Sequence, residues 1–201
     1  MTTEEKILIA ARDVFIQKGF AGARMQEIAD AAEINKAMLH YYYRSKEKLF
    51  RVIAFDTFKG FMPRIGEWID RDLPLIDRLM GIVNTYLETL TANPTLPLFV
   101  LHELSRQGEE FVADLKDEVS QLPDFAKLIM AIQNESASGK IRPVNPFHLL
   151  LSMMSMTVFP FICRPIFTGI IGASDADYNS LIESRSSHIE EVLQRVLIPT
   201  N

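Results

Sequence analysis

Apolar residues recur along this chain at helical intervals, and nowhere in the alternation that a strand requires. Ile7, Ala11 and Val14, with Leu8 and Phe15 beside them, predict a first helix. It opens on a Thr2–Glu5 capping box and ends at Gly19, with Phe20 carrying the apolar stripe past the glycine. Ile28, Ala29 and Ala32 mark a short second helix, whose alanines let another helix come close. Glu33-Ile34 then makes a turn. Asn35 follows as a good N-cap, because its side-chain oxygen accepts a bond from a free backbone N–H. Ala37, Met38 and Leu39 open a third helix. Ser45 predicts the N-cap of a fourth helix running from 46 to about 69, apolar at Leu49, Phe50, Ile53, Phe58, Phe61 and Met62 and kinked at Pro63.

The rest of the chain keeps the helical period. Residues 73–90 predict one helix, ended by Asn93-Pro94, and residues 96–107 a short one closed by Gly108. Residues 109–138 read as one helix bent at Pro123 and stopped by Gly139. Residues 145–168 form the most apolar helix, and Ser174 or Asp175 caps a last one reaching about Leu197. The expectation is an all-α fold of about nine helices. The apolar run 149–163 is shorter than the roughly 20 residues of a membrane span and contains Pro160, so it predicts a buried core helix and no membrane contact.

Charge changes the picture at one place. The net charge is −5, but residues 1–50 carry eight Lys/Arg against seven Asp/Glu, which leaves −6 for the remainder. Between residues 34 and 51, Lys36, Arg44, Lys46, Lys48 and Arg51 face one acid, Glu47. His40, Tyr41, Tyr42, Tyr43 and Ser45 are interleaved with them. Two helices joined by so short a turn are a helix-turn-helix, in which the second helix enters the DNA major groove. Lysine, arginine, tyrosine and helix N-terminal amides are the groups that hold phosphate oxygens.

The combination of Gly19-Phe20, Ile28-Ala29, Ala32, Ile34-Asn35-Lys36, Leu39, the aromatic run to Tyr43 and Ser45-Lys46-Glu47 with Leu49-Phe50 resembles TetR-type transcriptional regulators. The turn Gly139-Lys140-Ile141-Arg142 before an apolar helix adds to the likeness, which spans essentially the whole chain. The resemblance implies a three-helix DNA-binding domain over residues 1–50 and a helical effector-binding and dimerisation domain over 51–201. It implies double-stranded DNA with a palindromic operator as partner, and a homodimer formed through about residues 145–197. Asn35, Lys36, Ala37 and Met38 fall where such proteins meet base edges and phosphates, and His40, Tyr42 and Lys46 at phosphate-contacting positions. Gln26 and Tyr41 stand beside them, whereas Tyr43 is expected in the core. Three positions depart from the pattern. Arg24 stands near a usual hydroxyl cap and is expected to hold a phosphate. Glu33 replaces a frequent turn glycine, and Met38 a common threonine.

Other chemistry is poorly served. His102-Glu103 lacks the second histidine of a zinc-protease helix, since Arg106 stands there. The four histidines show no ligand spacing, and no nucleophile elbow or phosphate-binding glycine loop occurs. No catalytic residue, metal or cofactor is expected, and the chain is not expected to be an enzyme. Cys163 is the only cysteine, which suits a reducing cytoplasm, and the acidic start MTTEEK is no signal peptide. Phe58, Phe61, Met62, Tyr86, His102, Arg106, Met130, Met154 and Phe159 offer material for an adaptable pocket that takes a small, largely apolar effector. Each of them also suits ordinary core packing. A DNA-binding dimer with no small effector, and a helical protein-interaction module, therefore stay open as alternatives.

Overall fold

The computed structural model describes residues 1–199, which fold into ten α-helices and one π-helical turn. In order they are α1 (Thr3–Gly22), α2 (Met25–Ala31), α3 (Lys36–Tyr42), α4 (Lys46–Asp70), α5 (Leu75–Ala92), α6 (Leu96–Glu118), α7 (Phe125–Ala137), α8 (Pro146–Ile166), the π-turn Phe167–Ile171, α9 (Asp175–Glu183) and α10 (Arg185–Leu197). The chain divides into two compact units. Residues 1–60 and 93–120 make the first, and residues 61–92 with 121 onward make the second, so α4 contributes to both.

The first unit is built on aromatic packing. Thr2 and Glu5 exchange bonds as a capping box at the head of α1, which buries Ile7, Ala11 and Phe15. Gly19 then takes φ +69°, a left-handed value that a side chain resists, and the chain bends there. The bend puts the Phe20 ring 6.0 Å from Phe15 and 5.4 Å from Phe50, edge-on to the latter. Phe99 of α6 closes the cluster, 4.3 Å from Phe50. α2 ends in a Schellman motif, with the Ile34 N–H on the Ala29 carbonyl and the Glu33 N–H on that of Asp30. The motif requires a left-handed residue at its turn, and Glu33 supplies it at φ +56°.

The second unit packs α5 against α8 and α10. Leu79, Ile82 and Val83 of α5, Leu149 and Met153 of α8, and Ile189 and Leu193 of α10 are buried. The Trp68 indole lies flat against Gly81, where a Cβ would come within 2.1 Å of the ring. Pro160 has no N–H to give the Met156 carbonyl one turn earlier, and Arg185 donates Nε–H to that carbonyl instead, at 2.8 Å. The Arg142 N–H bonds the Leu197 carbonyl at 2.8 Å, tying the α7–α8 connection to the end of α10.

Four expectations differ from this. α6 does not stop at Gly108: it continues to Glu118 across a kink at Gln107 (φ −146°, ψ 48°). Residues 109–138 are not one bent helix, because Pro123 disfavours helix in the residue before it and the Asp124 carboxylate caps a new helix at Ala126 and Lys127. The last predicted helix is two, broken at Ser184, whose hydroxyl turns back to the Ser180 carbonyl. The fourth difference concerns α8. With the π-turn it spans Pro146–Ile171 and contains an 18-residue window of mean hydropathy 1.6, long and apolar enough by length and composition to cross a membrane. Only Pro146, Leu149, Met153, Thr157, Pro160 and Cys163 of that stretch are buried in their own chain, so α8 is not the enclosed core helix its sequence suggests.

Replacing Gly81 with Ala is expected to destabilise the protein by about 1–3 kcal/mol, the range for overpacking a filled core. Urea unfolding followed by Trp68 fluorescence measures it, and an unchanged midpoint would contradict the packing described.

Candidate nucleic-acid interface

α3 is a seven-residue helix in which only Leu39 is buried. A helix this short has little stability of its own, so it is held by its cap and by one anchor. The Asn35 side-chain oxygen accepts the Met38 N–H at 2.7 Å, which leaves its NH2 group free for other partners. Lys36, Ala37, Met38, His40, Tyr41 and Tyr42 are all exposed, Tyr41 at 84%. The Tyr41 and Tyr42 rings meet edge to face at 5.7 Å. Nearly the whole circumference of α3 is thus presented outward.

Its surroundings fix the display. Tyr43 is buried, and its hydroxyl donates to Glu4 Oε1 at 3.0 Å, joining the end of α3 to the start of α1. Burial first, and then the Glu4 carboxylate, push its phenol well above the ordinary tyrosine range. The Ser45 hydroxyl accepts the Lys48 N–H at 3.2 Å and caps α4. His40 Nδ1 lies 3.3 Å from the Arg44 carbonyl. With a proton donated there, Nε2 can donate to phosphate only in the imidazolium form. On α2, Arg24 is exposed and its backbone N–H donates to Glu27 Oε2 at 3.2 Å, while Gln26 reaches Asp30 along the helix. The Lys18 ammonium, 2.8 Å away, holds the Glu27 carboxyl below its usual range.

Two of the five cations counted between residues 34 and 51 are already engaged. The Lys46 ammonium bonds the Ala23 carbonyl at 3.1 Å and the Ala21 carbonyl at 3.4 Å, and sits 4.6 Å from the centre of the Phe20 ring. One of its three protons is left for another acceptor. Arg51 turns inward between Phe55 and Phe111, with Nη2 2.8 Å from Asp114 Oδ2, near enough for an ion pair though not aligned as a hydrogen bond. Arg24, Lys36, Arg44 and Lys48 are exposed and form no ion pair with any described residue. Arg44 and Lys48 therefore join the site residues named from sequence. Their charge was legible, but their freedom was not, because it depends on which neighbours Lys46 and Arg51 find.

The pocket candidates are spread over both units. In the first unit Phe58 is buried, while His102 and Arg106 are exposed one turn apart, with Nε2 and Nη1 separated by 3.4 Å. In the second, Phe61 and Met62 are buried and Phe61 meets Tyr86 at 5.2 Å. Burial pushes the Tyr86 phenol up to about 12. Met130, Met154 and Phe159 are exposed.

Comparison with known proteins agrees with this geometry. Residues 7–53 match the model of bacterial regulatory proteins of the tetR family. The helix-turn-helix transcriptional regulator RutR of Escherichia coli K12 is 25% identical over 198 residues, 97% of this chain and 88% of its own. The repressor NicS of Pseudomonas putida is 48% identical over 59 residues, 29% of this chain and 28% of its own. Among solved structures, AibR in complex with isovaleryl coenzyme A and operator DNA superposes with a TM-score of 0.68 at 20% identity, covering 95% of this chain and 97% of that one. The chain is a helix-turn-helix, DNA-binding transcriptional regulator. Its residues 7–53 carry the DNA-binding region of the TetR family, and over 97% of its length it is similar to a regulator of that kind.

Glu33→Gly is expected to stabilise the protein by about 0.5–1 kcal/mol, since glycine takes the left-handed turn without the Cβ contact. Thermal unfolding checks it, and a lower melting temperature would show that the Glu33 side chain makes up for its own backbone.

Proposed function

We propose that the chain is a homodimeric repressor that holds a palindromic operator through α3 and is released by a small, largely apolar effector. It acts by binding alone, in the cytoplasm, with no catalytic step. The observation that carries the DNA contact is the one buried residue of α3, set among four unpaired cations. In this reading Lys36, Arg44, Lys48 and Arg24 hold phosphates, while Ala37, Met38 and the Asn35 amide face base edges. Met38 offers an apolar surface to a thymine methyl. Gln26, His40, Tyr41, Tyr42 and the remaining proton of Lys46 complete the contact.

α8 supports the dimer. An apolar helix with most of its length uncovered loses by contact with water, at roughly 25 cal/mol per Å² exposed, and a second copy removes that surface. Two operator-reading helices must then lie about 34–36 Å apart, or a multiple of that, to meet successive major grooves. An effector acts by preferring a state with the wrong separation, and its differential affinity sets the size of the response. AibR, solved with isovaleryl coenzyme A, and a Clostridium perfringens putative fatty acid metabolism regulator lend support to an acyl-type effector. The exposure of Met130, Met154 and Phe159 favours a second reading, a regulator of the same kind without a small effector.

Sequencing DNA selected by the purified protein tests the proposal, with two half-sites in inverted repeat as the expected outcome. On the selected site, Lys36→Ala and Tyr42→Ala are each expected to weaken binding. Lys36→Ala should also lower the salt dependence by about one counterion. Selection that returns no enriched sequence would refute operator recognition. A series of free short-chain and long-chain carboxylic acids and their acyl-CoAs that leaves affinity for the site unchanged throughout would favour the effector-free reading.

A further inference from the structure

The exposed seam of α8 beside α10 carries a pattern that the dimer reading alone does not require. His148, Ser152, Ser155, Phe159, Ile162 and Ile166 follow one another at intervals of four, three, four, three and four residues. That is the spacing of a helix face packed against another helix. The order of intervals is the same read from either end. The residue sizes are not: the first three are small or polar, and the last three are large and apolar. All but the half-buried Ile162 are exposed, Phe159 at 55% and Ile166 at 48%. Val192 and Val196 of α10 border the same groove, which His148 and Ser152 of α8 line together with Val144 just before that helix.

We infer that this seam is self-complementary, and that two copies of α8 pack antiparallel across a two-fold axis at the level of Thr157. In that register His148 meets Ile166 of the second copy, Ser152 meets Ile162, and Ser155 meets Phe159. Phe159 and Ile162 then fall on serines and Ile166 on the polar His148, and each pair occurs twice, as an isologous contact demands. A parallel pairing sets Ile162 and Ile166 against themselves and leaves a gap at Ser152 and Ser155. A shift of one turn sets Phe159 against itself in one direction and Ser155 against itself in the other, and a shift of one heptad puts Phe159 opposite Ile162 or His148. The Ser155 hydroxyl already bonds the Leu151 carbonyl of its own helix at 2.8 Å, so covering it with a ring leaves no donor unsatisfied. Beyond the six, Ile170 of the π-turn, 80% exposed, mirrors Val144 at the opposite end.

This register rests on the dimer reading, and size exchange in the full chain separates the two. Ser152→Ile sets isoleucine against isoleucine, and Ile162→Ser leaves a serine pair. Each alone is expected to weaken dimerisation about tenfold or more by sedimentation. The double exchange restores the large-on-small pairing and should return the dissociation constant to within a few-fold of the parent. Crosslinking gives an independent readout in a Cys163→Ser background. Co-expressed Ser152→Cys and Ile162→Cys chains should link to each other through a short bismaleimide, and neither should link to its own kind. The sites that meet one another are absent within either homodimer, where like cysteines stand about 15 Å apart along the helices at 1.5 Å per residue. A double exchange no better than the worse single variant, or Ser152→Cys chains that link to themselves, overturns the register while leaving a dimer. A parent that sediments only as monomer at micromolar concentration overturns both.

Discussion

The aromatic cluster of Phe15, Phe20, Phe50 and Phe99 is the contact on which the proposed DNA-binding surface depends. It joins the bend within α1, the head of α4 and the first half of α6, with ring centres 4.3–6.0 Å apart. Edge-on and tilted aromatic pairs at such distances add to simple area burial. Gly19 is the backbone condition for the cluster, because its left-handed φ turns Phe20 inward. Lys46 then lies over the outer face of Phe20 and bonds two carbonyls of the same bend. A single ring thus fixes both the entry to α2 and the first turn of α4, the two segments that bracket α3.

The short elements were legible wherever their cause is local. Thr2 with Glu5, Asn35, Ser45 and Ser174 cap helices within three residues of themselves, and the structure shows those bonds at the places the sequence indicates. Glu33, legible only as standing in place of a frequent turn glycine, proves to be the left-handed residue of the turn, at φ +56°. The failures have distant causes. Arg51 was counted as part of a basic face, yet Phe111 and Asp114, supplied by α6, draw it inward. The 107–108 boundary failed because a glycine after an amphipathic stretch reads as a stop, whereas here the helix bends and resumes.

The effector region was the least legible part, for a physical reason. Methionine and phenylalanine at helical spacing have the same appearance whether they fill a core, line a cavity or face another chain. Phe61 and Phe159 illustrate it. One is buried against Tyr86 and the other stands open on α8, and nothing in the residue types separates them. Which face of α8 is inward is decided by the helices packed on it, α5 foremost with α7 and α10.

The uncovered length of α8 also governs how long the folded chain lasts. Whatever covers that helix acts as a ligand for the native state alone, and stabilises it by mass action. When the cover is another copy, resistance to unfolding rises with the abundance of the protein itself. A chain with an intact α8 and a defective α3 would then still be sheltered by its partner and would occupy half of every mixed pair. Lesions in the reading helix would consequently be dominant over the normal copy, whereas lesions in α8 would be recessive to it.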